Sequence, residues 1–241
     1  MWAPEMHKVN GKYLVYFTAR AASNSLLSIG VASSFSYLGP FRDKGEPLLQ
    51  NTTIPIGVID ATYYLDHDKH YLAWKVDGND KGITARILIR ELTDDGMDFV
   101  EGSEATQLIQ NDLDWETICI EGPWIIWNDP YYYLFYAGNM YTSVGYAVGV
   151  ARASSVVGPY TKFGPPILHT NFDVYNSGGN STFVGPGHCS VVMKDDSWWI
   201  VYHTWEWGKV LKDPPGRVMC IDELIWSENW PGVKNGYPST L

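Results

Sequence analysis

Three carboxylates and one imidazole stand at strand-like positions in four separate segments of this chain. They are Glu5 in Trp2-Ala3-Pro4-Glu5, Asp60 in Gly57-Val58-Ile59-Asp60, Glu121 in Ile120-Glu121-Gly122-Pro123-Trp124, and His188 in Gly185-Pro186-Gly187-His188-Cys189. Groups of these types transfer protons. Two carboxyls in a partly dry cleft also differ in pKa: the negative charge of one raises the pKa of the other, which stays protonated and can donate. A Glu before Gly-Pro on an aromatic strand is costly to bury without purpose. The plain alternatives are a strand-end Glu121 paired with a lysine on a rim, Asp60 as an ordinary turn residue, and His188 as a hydrogen-bonded core residue.

Each of the four residues is followed by a turn and a second strand rich in Tyr, Trp and Val. Their spacing is the length of a four-stranded sheet with its loops. Such sheets repeated around an axis make a β-propeller, and one polar residue per innermost strand then points into a central cavity. Ile29 to Phe41 recurs as Val148 to Tyr160 after a shift of 119 residues, with Gly30, Gly39 and Pro40 falling on Gly149, Gly158 and Pro159. The preceding strand recurs as Tyr13-Leu14-Val15-Tyr16 and Tyr133-Leu134-Phe135-Tyr136. Asp-rich turns at residues 66–69 and 194–197 lie between β-branched and aromatic runs, as in hairpins. The expected fold is all-β, one propeller domain over 1–241 with blades near 1–50, 51–112, 113–172 and 173–241, and no helix.

The 241 residues carry 17 Lys+Arg against 27 Asp+Glu, a net charge of −10, so no basic stripe awaits phosphates. Nucleic acid is excluded as a partner on that ground, and a neutral substrate fits better. No window approaches the ~18 consecutive apolar residues of a membrane helix, and the chain as given opens on a strand motif without a signal peptide. Cys119, Cys189 and Cys220 are too few and too irregular for a metal cluster, and at most one bridge can form. Asn51-Thr52-Thr53 and Asn180-Ser181-Thr182 are glycosylation acceptors if the protein is secreted by a eukaryote.

Taken in order, Trp2-Ala3-Pro4-Glu5, Ile59-Asp60, Glu121-Gly122-Pro123, Gly185 to His188, Tyr202-His203, Gly216-Arg217 and Trp230-Pro231 resemble glycoside hydrolase family 43 over nearly the whole chain. That family consists of five-bladed propellers that cleave arabinose- and xylose-containing polysaccharides with inversion. The resemblance implies that Glu121 is the general acid and that Asp60 tunes its pKa and holds the sugar. It implies substrate contacts from Trp2, Ile59 and Arg217, and less surely from Trp205 and Trp74. The plain alternatives are a surface salt bridge from Arg217 to Asp222 or Glu223, and tryptophans packed between blades. His188 matches a histidine at the propeller axis that in many members holds a calcium-centred water cluster. No cofactor is implied beyond that structural calcium. Secretion is expected by the same resemblance. A sucrose- or fructan-active relative is disfavoured, because Glu121 is followed by Gly122 and no Arg-Asp-Pro motif is present.

The family's catalytic base is an Asp upstream of Trp-Ala-Pro-Glu, which here begins at residue 2. The expectation is therefore about four blades and no base within these residues. Glu5 is the one uncommitted acid nearby, and the family gives it a supporting role. Three explanations stand: a truncated form, a blade supplied by another chain with a dimer closing the gap, or a carbohydrate-binding pseudoenzyme.

Overall fold

Asn10-Gly11, Asp195-Asp196 and Glu228-Asn229 each have φ between +45° and +83° at both residues. That is the backbone of the two-residue hairpin turn whose twist matches its flanking strands. These turns help to set an antiparallel, all-β architecture in the computed structural model, which describes residues 1–178 and 182–239, apart from the side chain of residue 80. Asn180 and Ser181 of the second glycosylation tripeptide lie outside the described residues.

The strands run in four groups. The first is β1 (Trp2–Val9), β2 (Lys12–Arg20), β3 (Leu27–Ser34) and β4 (Arg42–Asp43), and the second is β5 (Gly57–Asp66), β6 (Lys69–Asp77), β7 (Arg86–Leu92) and β8 (Thr106–Gln110). The third is β9 (Ile120–Asn128), β10 (Tyr131–Gly138), β11 (Ala147–Ala153) and β12 (Thr161–Lys162), and the fourth is β13 (Phe183–Lys194), β14 (Ser197–Glu206), β15 (Arg217–Ser227) and β16 (Trp230–Val233). Within each group neighbours pair antiparallel in chain order, and one parallel pair, Leu27 with Gly57, joins the first two groups. A five-residue helix, Phe172–Asn176, departs from the expected helix-free chain. Its start is capped by the Asn171 side chain, which accepts from the Val174 N–H at 3.1 Å. Among the described residues no helix is long and apolar enough to cross a membrane.

The strands pack as two compact units, Met1–Gln110 with Val156–Gly158, and Asn111–Ser155 with Pro159–Leu241. In the first, Leu14, Tyr16, Ile29, Leu72 and Val76 meet in one core; in the second, Phe135, Val148, Val191, Ile200 and Tyr202 do so. Each such fully buried side chain contributes roughly 1.5–3 kcal/mol relative to exposure. A buried ion pair also ties the second unit. Lys162 donates to both oxygens of Glu116 at 2.6 and 2.8 Å, and Tyr136 O–H and the N–H groups of Asp112 and Leu113 complete the acceptor's shell.

The duplication holds at the level of hydrogen-bond register. Ala32 pairs Asp43 as Ala151 pairs Lys162, and the bridge Ile29–Leu49 reappears as Val148–Leu168. Gly30 and Gly149 have one explanation: a Cβ on either would stand 2.6 Å from the ring of Phe17 or Tyr136 in the neighbouring strand. The preceding strand corresponds one residue earlier than its sequence suggests, because Tyr13 pairs Ser34 where Tyr132, not Tyr133, pairs Ala153.

Candidate active site

The first strand of every group carries a bulge. Register slips there in β1, β5, β9 and β13, and φ is positive at Ala3, Asp60, Gly122 and Gly185, each directly before Pro4, Ala61, Pro123 or Pro186. A bulge re-aims the side chains around it. Aligned on it, Glu121 lies one residue before the bulge, Asp60 on it and Glu5 two after, whereas His188 sits at a second register slip of β13 with a φ of +49° of its own. The four polar residues are therefore not equivalent positions of one layout, as their spacing suggested. Under the duplication Glu121 corresponds to Trp2, not to Glu5.

Asp60, Ile59, Trp2 and Glu5 belong to the first unit. Asp60 is buried with φ +58°, and Ile59 beside it is partly buried and pairs with Lys75. Trp2 is 46% exposed, with the Arg20 guanidinium 5.7 Å from its ring centre, so a large aromatic face meets solvent. Trp74 is not a platform: it is 3% exposed and packs on Phe99 in the core. Glu5 is a brace. Its Oε1 accepts from Thr62 Oγ1 at 2.9 Å, from the Tyr63 N–H at 3.1 Å and from His7 Nε2, pinning β1 to β5.

Glu121, His188, Arg217 and Trp205 belong to the second unit, and its strands bring the first three together. Tyr146 donates its O–H to Glu121 Oε1 at 2.7 Å, and the Cys119 thiol points at Oε2 from 3.5 Å. The Tyr146 ring stacks on His203, with centres 5.6 Å apart and planes 16° from parallel. His203 in turn lies 6.4 Å from His188, centre to centre. Arg217 donates to His203 Nε2 at 3.0 Å and covers the Tyr141 ring at 5.1 Å. It is thus held over the cluster, where a bridge to Asp222 or Glu223 would have turned it away. Trp205 is 6% exposed and gives its indole N–H to the Tyr141 carbonyl at 2.7 Å, so it supports the loop under Arg217 and offers little face to a sugar.

Burial, then the charge of Arg217 and then His188 lower the pKa of His203 from 6.5 to about 3, against a smaller opposing pull from Glu121. The imidazole is neutral across ordinary working pH, which is why its Nε2 can accept from a guanidinium. Its Nδ1 is buried without a hydrogen-bond partner among the described residues.

Tyr146 and the inner role of His203 were missed by sequence reasoning. The duplication contained the signal for Tyr146, since it falls on Leu27, a polar-for-apolar exchange at a buried place. Gly187 is required by the same tyrosine, because a Cβ there would lie 2.0 Å from its ring.

Among the described residues no group of three or more His, Cys, Asp or Glu side chains is placed to hold a metal. Calcium takes roughly six to eight oxygen ligands. The expected cluster would draw its shell from water, with His188 the residue that would hold it, and no step below passes through an ion. No disulfide joins the three cysteines, and burial pushes the Cys189 thiol up to about 12.

The sequence model of the family described as Glycosyl hydrolases family 43 matches residues 1–231. An extracellular exo-α-(1→5)-L-arabinofuranosidase of Streptomyces avermitilis is 26% identical, over 94% of this chain and 48% of its own length. An extracellular endo-α-(1→5)-L-arabinanase of Bacillus subtilis is 25% identical, over 95% of this chain and 68% of its own. The chain thus spans about half of the first relative and two thirds of the second. The crystal structure of a thermostable family-43 glycoside hydrolase superposes with a TM-score of 0.82 at 30% identity, covering 100% of this chain and 76% of that one. The fold class is accordingly the all-β propeller type of those structures.

Proposed function

This chain belongs to glycosyl hydrolase family 43, and from that premise we propose that it is a glycoside hydrolase acting on arabinosyl or xylosyl linkages of plant polysaccharides. Glu121 is the general acid. Asp60 is the second carboxylate, which raises the pKa of the acid and holds the sugar. The observation that carries the acid role is the hydrogen bond from Tyr146 to Glu121 Oε1 within a cluster whose imidazole is neutral. There the carboxyl is oriented by its donor, and the His203 ring stacked on that donor carries no charge.

In an inverting displacement the acid's proton passes to the glycosidic oxygen as the bond from that oxygen to the anomeric carbon breaks. Water adds to the opposite face of that carbon and yields its proton to a base. Arg217 has N–H donors beyond the one spent on His203, and these suit sugar hydroxyls. Trp2, exposed, suits a sugar face. The base is assigned to no residue of this chain. The relatives named extracellular favour action outside the cell.

A sugar-binding protein without turnover is the second reading. The commitment of Glu5 to three donors favours it, since that removes the carboxylate best placed in sequence to substitute as base. Calorimetry with arabino- and xylo-oligosaccharides, paired with turnover on the same preparation, separates the two. Binding with inverting hydrolysis supports the first reading, binding without turnover the second, and no binding of either sugar contradicts both.

A further inference from the structure

We propose that Tyr146 is the positioning residue of Glu121: by donating to Oε1 it assigns the transferable proton to Oε2. The inference rests on the reading of Glu121 as the acid. A protonated carboxyl has one carbonyl oxygen and one O–H. A donor 2.7 Å from Oε1 makes that oxygen the carbonyl, so the proton resides on the other. Cys119 stands 3.5 Å from Oε2, and a thiol is too weak a donor to reverse the preference. Once the proton has left, the same hydroxyl stabilises the carboxylate that remains.

Nothing about Tyr146 is free to swing. Its ring is 0% exposed, lies against Gly187 where no Cβ fits, and stacks on a neutral His203 that Arg217 holds. The two copies of the duplicated segment give independent support. Where the second has Glu121 and Tyr146, the first has Trp2 and Leu27, so the acid and its donor are present together or absent together. A tyrosine needed only to fill space would have no reason to follow the carboxylate. The titratable and charged groups facing Glu121 in this unit include Cys119 ahead of β9, Tyr146 ahead of β11, His188 on β13, His203 on β14 and Arg217 on β15.

The test is the Tyr146→Phe variant of the whole chain, which keeps the ring and its stacking. Carboxyl-carbon NMR of protein labelled at glutamate follows the titration of Glu121, its signal assigned by its disappearance in Glu121→Gln. Losing a donor to the ionised form raises the carboxyl pKa, here by about 0.5–1 unit. The alkaline limb of any hydrolytic pH profile moves up equally, and kcat falls more on poor leaving groups than on good ones with KM little changed. A Glu121 titration unmoved in Tyr146→Phe overturns the proposal and leaves the acid reading standing. Full activity in Glu121→Gln overturns the acid reading itself. If Tyr146→Phe does not fold, the same titration is read in Tyr146→Leu, which installs the residue of the first copy.

Discussion

Lowering the pH from 7 to 5 should cost this protein about 2 kcal/mol of stability through His203 alone. Burial first, and then Arg217 and His188, depress its pKa from 6.5 to about 3. Below pH 6.5 the unfolded chain takes up a proton that the native state refuses. The stability tied to this group is therefore fully present above 6.5 and is lost as pH falls toward 3. Each unit costs about 1.4 kcal/mol, so the 1.5 units from 6.5 to 5 give the quoted loss. Because the native value lies well below 5, the ordinary 6.5 alone sets the size of the effect over this window. The assay is urea unfolding at pH 7, 6 and 5 for the wild type and His203→Gln, which offers Arg217 an acceptor but does not titrate. The variant should start less stable and decline less steeply, by about 2 kcal/mol between pH 7 and 5. All other titrating groups are shared and cancel in the difference. Parallel pH dependences would refute the reasoning, by showing that His203 takes its proton as readily folded as unfolded.

Asp60→Asn should lower hydrolysis and move the alkaline limb of its pH profile downward, because the proposed like charge that raises the pKa of Glu121 is gone; an unchanged profile contradicts the pairing. Lys162→Met should cost roughly 3–5 kcal/mol in urea unfolding, since it leaves Glu116 a buried charge without its cation, and a loss under 1 kcal/mol would show that Tyr136 and the backbone donors suffice. Gly187→Ala places a Cβ 2.0 Å from the Tyr146 ring. It should destabilise by about 1–3 kcal/mol, and an unchanged melting temperature would contradict the packing.

The repeat was legible because both copies kept their glycines for a steric reason, the ring of Phe17 over Gly30 and of Tyr136 over Gly149. The hairpin turns at Asp66–Lys69 and Lys194–Ser197 were legible from their Asp and His residues, of which His67, Asp195 and Asp196 take positive φ. What spacing could not show is the bulge. One unpaired residue changes which side chain is re-aimed, so Glu5 read as an equivalent of Glu121 when it is a brace two residues past its own bulge. Tyr146 escaped notice because its partner is 25 residues away, and only the fold brings the start of β11 beside β9 and β13. Trp205 read as a platform because a tryptophan's exposure depends on the loop above it, here anchored through Tyr141.

The central claim, that Glu121 is the proton donor of a family-43 glycosidase, is tested most directly by comparing wild type and Glu121→Gln on two kinds of substrate. One is an arabino- or xylo-oligosaccharide, whose leaving group needs a proton; the other is the matching p-nitrophenyl glycoside, whose leaving group does not. The variant should lose about 10²–10⁴-fold on the oligosaccharide, far less on the nitrophenyl substrate, and keep its sugar affinity by calorimetry. Equal rates of wild type and variant on the oligosaccharide, or sugar binding by the wild type with no turnover of either substrate, would contradict it.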